Sequence, residues 1–208
     1  MRISRPFRKD NSGVAAIEFA LMLPLLVLLF LGCAEGSQYI YANQKLKSST
    51  YNILNLVNMQ ENVSVAQLQA IAGVISEVSR PVNVDLSTAK VIVTAMQRDL
   101  ANKNNSQFKK AYVHWQEEFG ASGLGESQFA YASGGSKEDN ALPESALNGF
   151  SFAEGDQIIA VEIFAKYDPL IESEVTDSLL GTDRSMMYFL ASARPRKGAF
   201  QFKPDEIR

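Results

Sequence analysis

The run from Val14 to Cys33 constrains this chain more than any other feature, because twenty successive residues carry one charged side chain, Glu18. As an α-helix such a run rises about 30 Å, the thickness of a bilayer's hydrocarbon core, so it predicts a membrane-spanning helix. Arg2, Arg5, Arg8 and Lys9 precede it, whereas the first basic residues beyond it are Lys45 and Lys47. That bias keeps the amino end in the cytoplasm and predicts that everything after about Ser37 lies outside. A secretory signal has a shorter apolar core of about 7 to 15 residues followed by a small-x-small cleavage site, which this run does not match.

Glu18 needs a partner or an exit. A carboxylate at the centre of a spanning helix costs about 2.5 to 3.5 kcal/mol on insertion scales, less near an end, and such a residue points by default to a functional site. The plain alternative is that Glu18, about one turn inside the boundary, reaches the headgroups. Pro24 withdraws the backbone hydrogen bond to the carbonyl of Ala20 and predicts a kink, which a membrane helix tolerates when neighbours or water satisfy the freed group. A bend with no separate function is the simpler account of Pro24.

Gly13-Val14-Ala-Ala-Ile-Glu18-Phe19-Ala-Leu-Met-Leu-Pro24, with Glu35 past the apolar run, resembles the amino terminus of TadE-like pseudopilins of the tight-adherence (Flp) pilus, a branch of the type IV pilins. The resemblance covers about 25 residues in its motif, and the remainder is similar only in layout. It implies a cytoplasmic leader, a cut between Gly13 and Val14 by a prepilin peptidase, and a glutamate at the fifth mature position, which Glu18 fills. It also implies that Glu18 meets the amino terminus of a neighbouring subunit and sets the axial register, with Phe19 and Pro24 in the same assembly segment. Phe19 stands where the short major Flp pilins usually carry tyrosine. The chemistry agrees: cutting after Gly13 removes four bases and one acid and leaves an amino group on Val14, one helical turn from Glu18. A buried carboxylate is tolerated when paired.

The boundaries that follow are a leader over residues 1–13, a transmembrane helix over 14–36 and one extracytoplasmic domain over 37–208, long enough for a single core. Past Gly36 there are 20 acids and 16 bases, the bases scattered, so nothing predicts nucleic-acid binding. The single cysteine, Cys33, belongs to the apolar run, so the outer domain must be stable without a disulfide.

The fold class expected is α+β: a long amino-terminal transmembrane and stalk helix with a pilin-like domain whose roughly four-stranded antiparallel sheet packs on helix. The helix is expected to continue through Tyr39-Ile-Tyr41 and on through Leu46, Ile53, Leu56 and Val57 to about Met59. Asn62-Val63-Ser64 breaks it, and Ser64 with Gln67 reads as a capping box opening a second helix on Val65, Leu68, Ile71, Ile75 and Val78, ended by Pro81. Four runs rich in β-branched and aromatic residues follow: Val91–Met96, Tyr112–Gln116, Ile158–Tyr167 and Ser185–Ala193. In the third, Ile159, Val161, Ile163 and Ala165 alternate with Glu162 and Lys166, which predicts a helix-covered face and a solvated one. Asp168-Pro169 through Gly181 reads as a short amphipathic helix.

Residues 119–157 form a long Gly-rich connection holding seven of the thirteen glycines. Phe129, Tyr131, Leu142, Leu147, Phe150 and Phe152 recur through it, so it is expected to dock in part, as a partner-binding surface or as an insertion.

Catalytic signatures are missing. His114 and Cys33 are the only residues of their kinds and make neither a dyad nor a metal cluster outside the membrane. Gly120–Gly125 lacks phosphate-loop and nucleophile-elbow spacing, and the acids of 137–140 and 154–156 lack the calcium-loop pattern. The Asn62 and Asn104 sequons are short enough to arise by chance. The expectation is a non-enzyme with no cofactor and no metal. Its expected partners are the inner membrane, a prepilin peptidase, other pilin and pseudopilin subunits and the pilus assembly platform, in a cell that uses the pilus for surface adhesion. The competing reading is an unprocessed, single-pass anchored periplasmic domain, enzyme or ligand binder, which has no need of Gly13 five residues ahead of Glu18.

Overall fold

A computed structural model describes residues 12–60, 62–79, 84–98, 111–137, 139–143, 155–167, 186–196 and 201–202. The chain divides into two compact units, Met1–Ile40 and Tyr41–Arg208. Helix α1 spans Ser12–Asn58 and is unbroken by Pro24. In the first unit its apolar side chains all face outward, from Val14 through Phe30 to Ile40. That is the surface expected of a helix whose solvent is hydrocarbon.

In the second unit α1 behaves as a helix of a water-soluble core. Ala42, Leu46, Ile53, Leu54 and Val57 are buried, whereas Gln44, Lys47, Ser48, Asn52 and Asn55 are exposed, the amphipathic division of a surface helix. Strand β1 (Asn62–Val63) follows at once and pairs in parallel with β6 (Gln201–Phe202). The sequence predicted only a break at this point.

Ser64 opens α2 (Val65–Gly73): its hydroxyl accepts from the Gln67 amide at 3.3 Å, and the Ser64 amide donates to Gln67 Oε1 at 3.0 Å. The capping box is therefore complete. The expected second helix is divided, because after Gly73 the chain tightens at Val74, whose amide donates to Ile71 O, before α3 (Ile75–Val78) resumes. Pro81 and the helix expected over 168–181 lie outside the described residues.

Four strands make the main sheet: β2 (Ala89–Arg98), β3 (Ala111–Gly120), β4 (Gln157–Lys166) and β5 (Met186–Ala193). All neighbours are antiparallel, in the order β3-β2-β4-β5. The β2–β3 register shifts between Ala95 and Met96, which face Trp115 and Val113, leaving His114 as the extra residue of a bulge. On one face Val91, Val93, Ala95, Trp115, Ile159, Val161 and Ile163 pack with Leu46, Ile53 and Val57 of α1 and Leu68, Ala72 and Ile75 of the two short helices. This is the helix-covered sheet that the alternating pattern predicts.

The other face corrects the expectation of a solvated side. Ile158, Ala160, Glu162 and Phe164 are all buried, leaving only the ends of β4 partly open. The cover is the Gly-rich connection. Phe129 and Leu142 bury themselves against Met96, Ala111, Val113, Ile158 and Ala160, with Tyr131 and Leu190 at the margin. Full burial of a residue such as Phe129 contributes about 1.5 to 3 kcal/mol, enough to hold the segment down. Leu147, Phe150 and Phe152 lie outside the described residues.

Candidate functional site

The five residues singled out in the sequence all lie in the first unit, on the opening turns of α1. Gly13 begins this stretch, and a Cβ added there would meet nothing within 4 Å. Val14 and Phe19 are 57% and 59% exposed, and Glu18 and Pro24 are exposed as well. Glu18 is the fourth residue after Val14, so they occupy the same helical face about one turn apart. Among the described residues no side chain meets the Glu18 carboxylate. The apolar stretch is long enough to cross a membrane. Cys33 is exposed on it, and Ser37 Oγ donates to the Cys33 carbonyl at 2.7 Å, which satisfies a hydroxyl within its own helix.

The second unit contains a polar cluster that sequence reading missed. Glu162 is fully buried, and its Oε1 accepts from the Gln128 amide at 3.1 Å and from Tyr188 Oη at 2.8 Å. Ser127 Oγ donates to the other carboxylate oxygen. Gln116 Nε2 lies 2.9 Å from Thr94 Oγ1, 3.0 Å from Ser127 Oγ and 3.1 Å from the Phe129 carbonyl, extending the cluster to β2 and β3. Alternation alone put Glu162 on the outer face correctly. What it does not encode is that another part of the chain covers that face.

The cluster fastens the covering segment to the sheet. Every oxygen of Glu162 is engaged by a donor from a rigid element or from the loop, and Ser127 is held by a carboxylate with no histidine between them. Burial, then the charge of Glu162 and then the hydrogen bond to it, push the Tyr188 phenol above its ordinary range, so it stays a proton donor. Elsewhere burial alone raises the Glu117 carboxyl, whereas hydrogen bonds from Ser136 hold Asp139 below its usual value. The farther part of the same segment is pinned by Asn140, whose side chain accepts from the Ala132 amide at 2.7 Å and donates to the Ala132 carbonyl at 3.2 Å.

Gly120 and Gly125 let the segment leave β3 and cross the sheet. Gly120 has φ +105°, and a Cβ there would stand 2.2 Å from the Ala89 carbonyl oxygen. Gly125 has φ +150°, and a Cβ would lie 2.5 Å from the ring of Phe164. Lys90 Nζ completes the crossing, donating to the Gly125 carbonyl at 3.0 Å and pairing with Glu118 at 2.7 Å. His114, on the bulge, is exposed and meets the Tyr112 ring edge-on at 6.5 Å. Among the described residues no group of three or more histidines, cysteines or carboxylates is placed to hold a metal ion.

Comparison with known proteins returns one family. Residues 13–52 match the family described as TadE-like protein, a stretch containing Gly13, Val14, Glu18, Phe19 and Pro24. No curated protein and no solved structure matches the chain.

Proposed function

Starting from residues 13–52 as a TadE-like segment, we propose that this protein is a minor pseudopilin of a tight-adherence pilus. In this reading residues 1–13 are a leader that a prepilin peptidase removes after Gly13. Residues 14–36 hold the mature protein in the bacterial inner membrane, and residues 37–208 form the domain on the periplasmic side. The subunit then takes part in priming or building the pilus, and so in surface adhesion, without enzymatic activity of its own.

The observation that carries the proposal is Gly13 set five residues ahead of the only carboxylate in an otherwise uncharged apolar helix. A simple anchor gains nothing from that carboxylate, which costs insertion energy. A subunit that exposes a new amino group at Val14 gains a charged partner for it, since Val14 and Glu18 share a helical face. Val14, Glu18 and Phe19 also stand exposed, open to a neighbouring helix.

The amino-terminal residue of the protein isolated from membranes tests this. Val14 is the expected result. Met1 on protein from cells that contain an active prepilin peptidase overturns it, in favour of an unprocessed anchored domain.

A further inference from the structure

A primary carboxamide passes its acyl group to a hydroxyl when the oxygen lies against the amide, a base holds the hydroxyl hydrogen, a proton can reach the departing nitrogen, and water is scarce. The cluster beneath the covering segment meets these conditions. Gln116 Nε2 lies 3.0 Å from Ser127 Oγ, and that nitrogen is bonded directly to Cδ, the carbon a nucleophile attacks. Ser127 gives its hydrogen to Glu162 Oε2, the base. Thr94 and Glu162 are fully buried, and Gln116 and Ser127 are half-buried, which limits competition from water.

The contacts of the carboxamide also select the nucleophile. An NH2 group carries two hydrogens, yet three oxygens surround Gln116 Nε2: Thr94 Oγ1 at 2.9 Å, Ser127 Oγ at 3.0 Å and the Phe129 carbonyl at 3.1 Å. One of the three therefore approaches without a hydrogen bond. Ser127 Oγ already accepts from the Phe129 amide at 3.0 Å and donates to the carboxylate, so it is the oxygen best satisfied without one. The base is held in place as well. Glu162 Oε1 accepts from the Gln128 amide and from Tyr188 Oη, while Gln116 and Glu162 stand on β3 and β4 of one sheet.

From this we propose that Gln116 and Ser127 join through an intramolecular ester, formed by the protein itself with Glu162 as general base. Glu162 takes the hydroxyl proton as Ser127 Oγ attacks Gln116 Cδ. The tetrahedral adduct then breaks its C–N bond, the nitrogen leaves as ammonia with that proton, and Glu162 is returned as a carboxylate. One C–O bond replaces one C–N bond and nothing is oxidised or reduced. The ester ties the covering segment to β3 in a unit that contains no cysteine. The inference stands on the second unit alone and does not depend on the pilus reading.

Mass spectrometry of the full-length protein, purified from membranes in detergent, tests this. Trypsin releases residues 111–137 as one peptide holding both Gln116 and Ser127. It is expected to be lighter than its sequence by one ammonia, and after cleavage at Glu117, Glu118 and Glu126 its two ends are expected to stay joined until hydroxylamine opens the ester. Ser127→Ala is expected to restore the full mass, and Thr94→Ala to keep the loss. Glu162→Gln, which cannot take the proton, is expected to leave the cross-link in about a tenth of the molecules or fewer. A wild-type peptide of full mass overturns the proposal. So does an ammonia loss that survives Ser127→Ala, or a cross-link as complete in Glu162→Gln as in the wild type.

Discussion

Tyr188 donates its phenolic hydrogen to Glu162 at 2.8 Å, joining the outer strand of the sheet to a carboxylate that is completely buried. Burial and the neighbouring negative charge both favour the neutral phenol in the folded protein, so its pKa lies above the ordinary value of 10.0. The unfolded chain therefore releases this proton first as pH rises. By linkage the stabilisation is fully present below pH 10 and is lost progressively above it. Tyrosinate absorbance titrations of the folded wild type and Tyr188→Phe are expected to coincide up to the point of alkaline unfolding. A wild-type excess near pH 10, equivalent to one additional tyrosine, would contradict the contact with Glu162.

Glu162→Leu removes the acceptor from three donors at once: Ser127 Oγ, the Gln128 amide and Tyr188 Oη. A buried donor left without a partner costs about 1 to 3 kcal/mol. All three donors are only part-buried and can turn in part to water, so the expected loss is about 1 to 3 kcal/mol in total. Glu162→Gln, which keeps one acceptor oxygen, is expected to lose less. Denaturant melts of the three proteins measure this, and amide exchange is expected to rise first in residues 121–143.

Glycine substitutions separate backbone constraint from open space. Gly125→Ala places a Cβ against the Phe164 ring at a positive φ, and is expected to destabilise by about 1 to 3 kcal/mol. Gly73→Ala, at the end of α2 where a Cβ meets nothing within 4 Å, is expected to stabilise by about 0.5 to 1 kcal/mol. Opposite signs in thermal unfolding confirm the pair.

Ser64→Ala deletes the acceptor that holds the Gln67 amide at the start of α2. Loss of such a cap typically costs about 1 kcal/mol. Gln67→Ala in the same background is expected to add little, because the two halves of the box act together; a fully additive second loss in a double-mutant cycle would show that they do not.

On the proposed function, Glu18→Leu is expected to leave membrane insertion and cleavage after Gly13 largely intact, since it removes a charge from an apolar helix. Assembly is where the loss is expected. A Val14 amine buried against a partner that no longer carries its carboxylate costs about 3 to 5 kcal/mol, roughly a thousandfold in association. Pilus yield at matched protein level measures it. Normal pili containing the cleaved variant would make Glu18 a passenger at the interface.

Where one local rule decides the outcome, the sequence was readable. Ser64 and Gln67 meet as a capping box because their spacing alone determines who can bond whom. The four strands lie where β-branched and aromatic residues cluster, each observed strand overlapping its expected run. The apolar run from Val14 to Cys33 is likewise helical throughout, and the TadE-like match falls on the segment that carries the Gly13 and Glu18 spacing.

What was not readable depends on contacts between distant parts of the chain. The alternation of Glu162 with Val161 and Ile163 assigns sides of a strand, but whether a side is wet is decided by Phe129 and Leu142, far away in sequence. His114 reads as an ordinary strand residue. Only the pairing of its neighbours, Trp115 with Ala95 and Val113 with Met96, shows it to be the extra residue of a bulge. The pairing of Asn62–Val63 with Gln201–Phe202 is invisible for the same reason, since two residues have no periodicity.

That short pairing sets an order of events. A ribosome makes the chain from the amino end, so β1 and the end of α1 exist long before Gln201 and Phe202 emerge. Closing so long a loop is entropically slow, and until it happens β1 lacks its partner strand. A chain released early, or a protease trimming the carboxyl end, would strand it at that stage. The pairing therefore ties completion of this part of the fold to the late synthesis of Gln201 and Phe202.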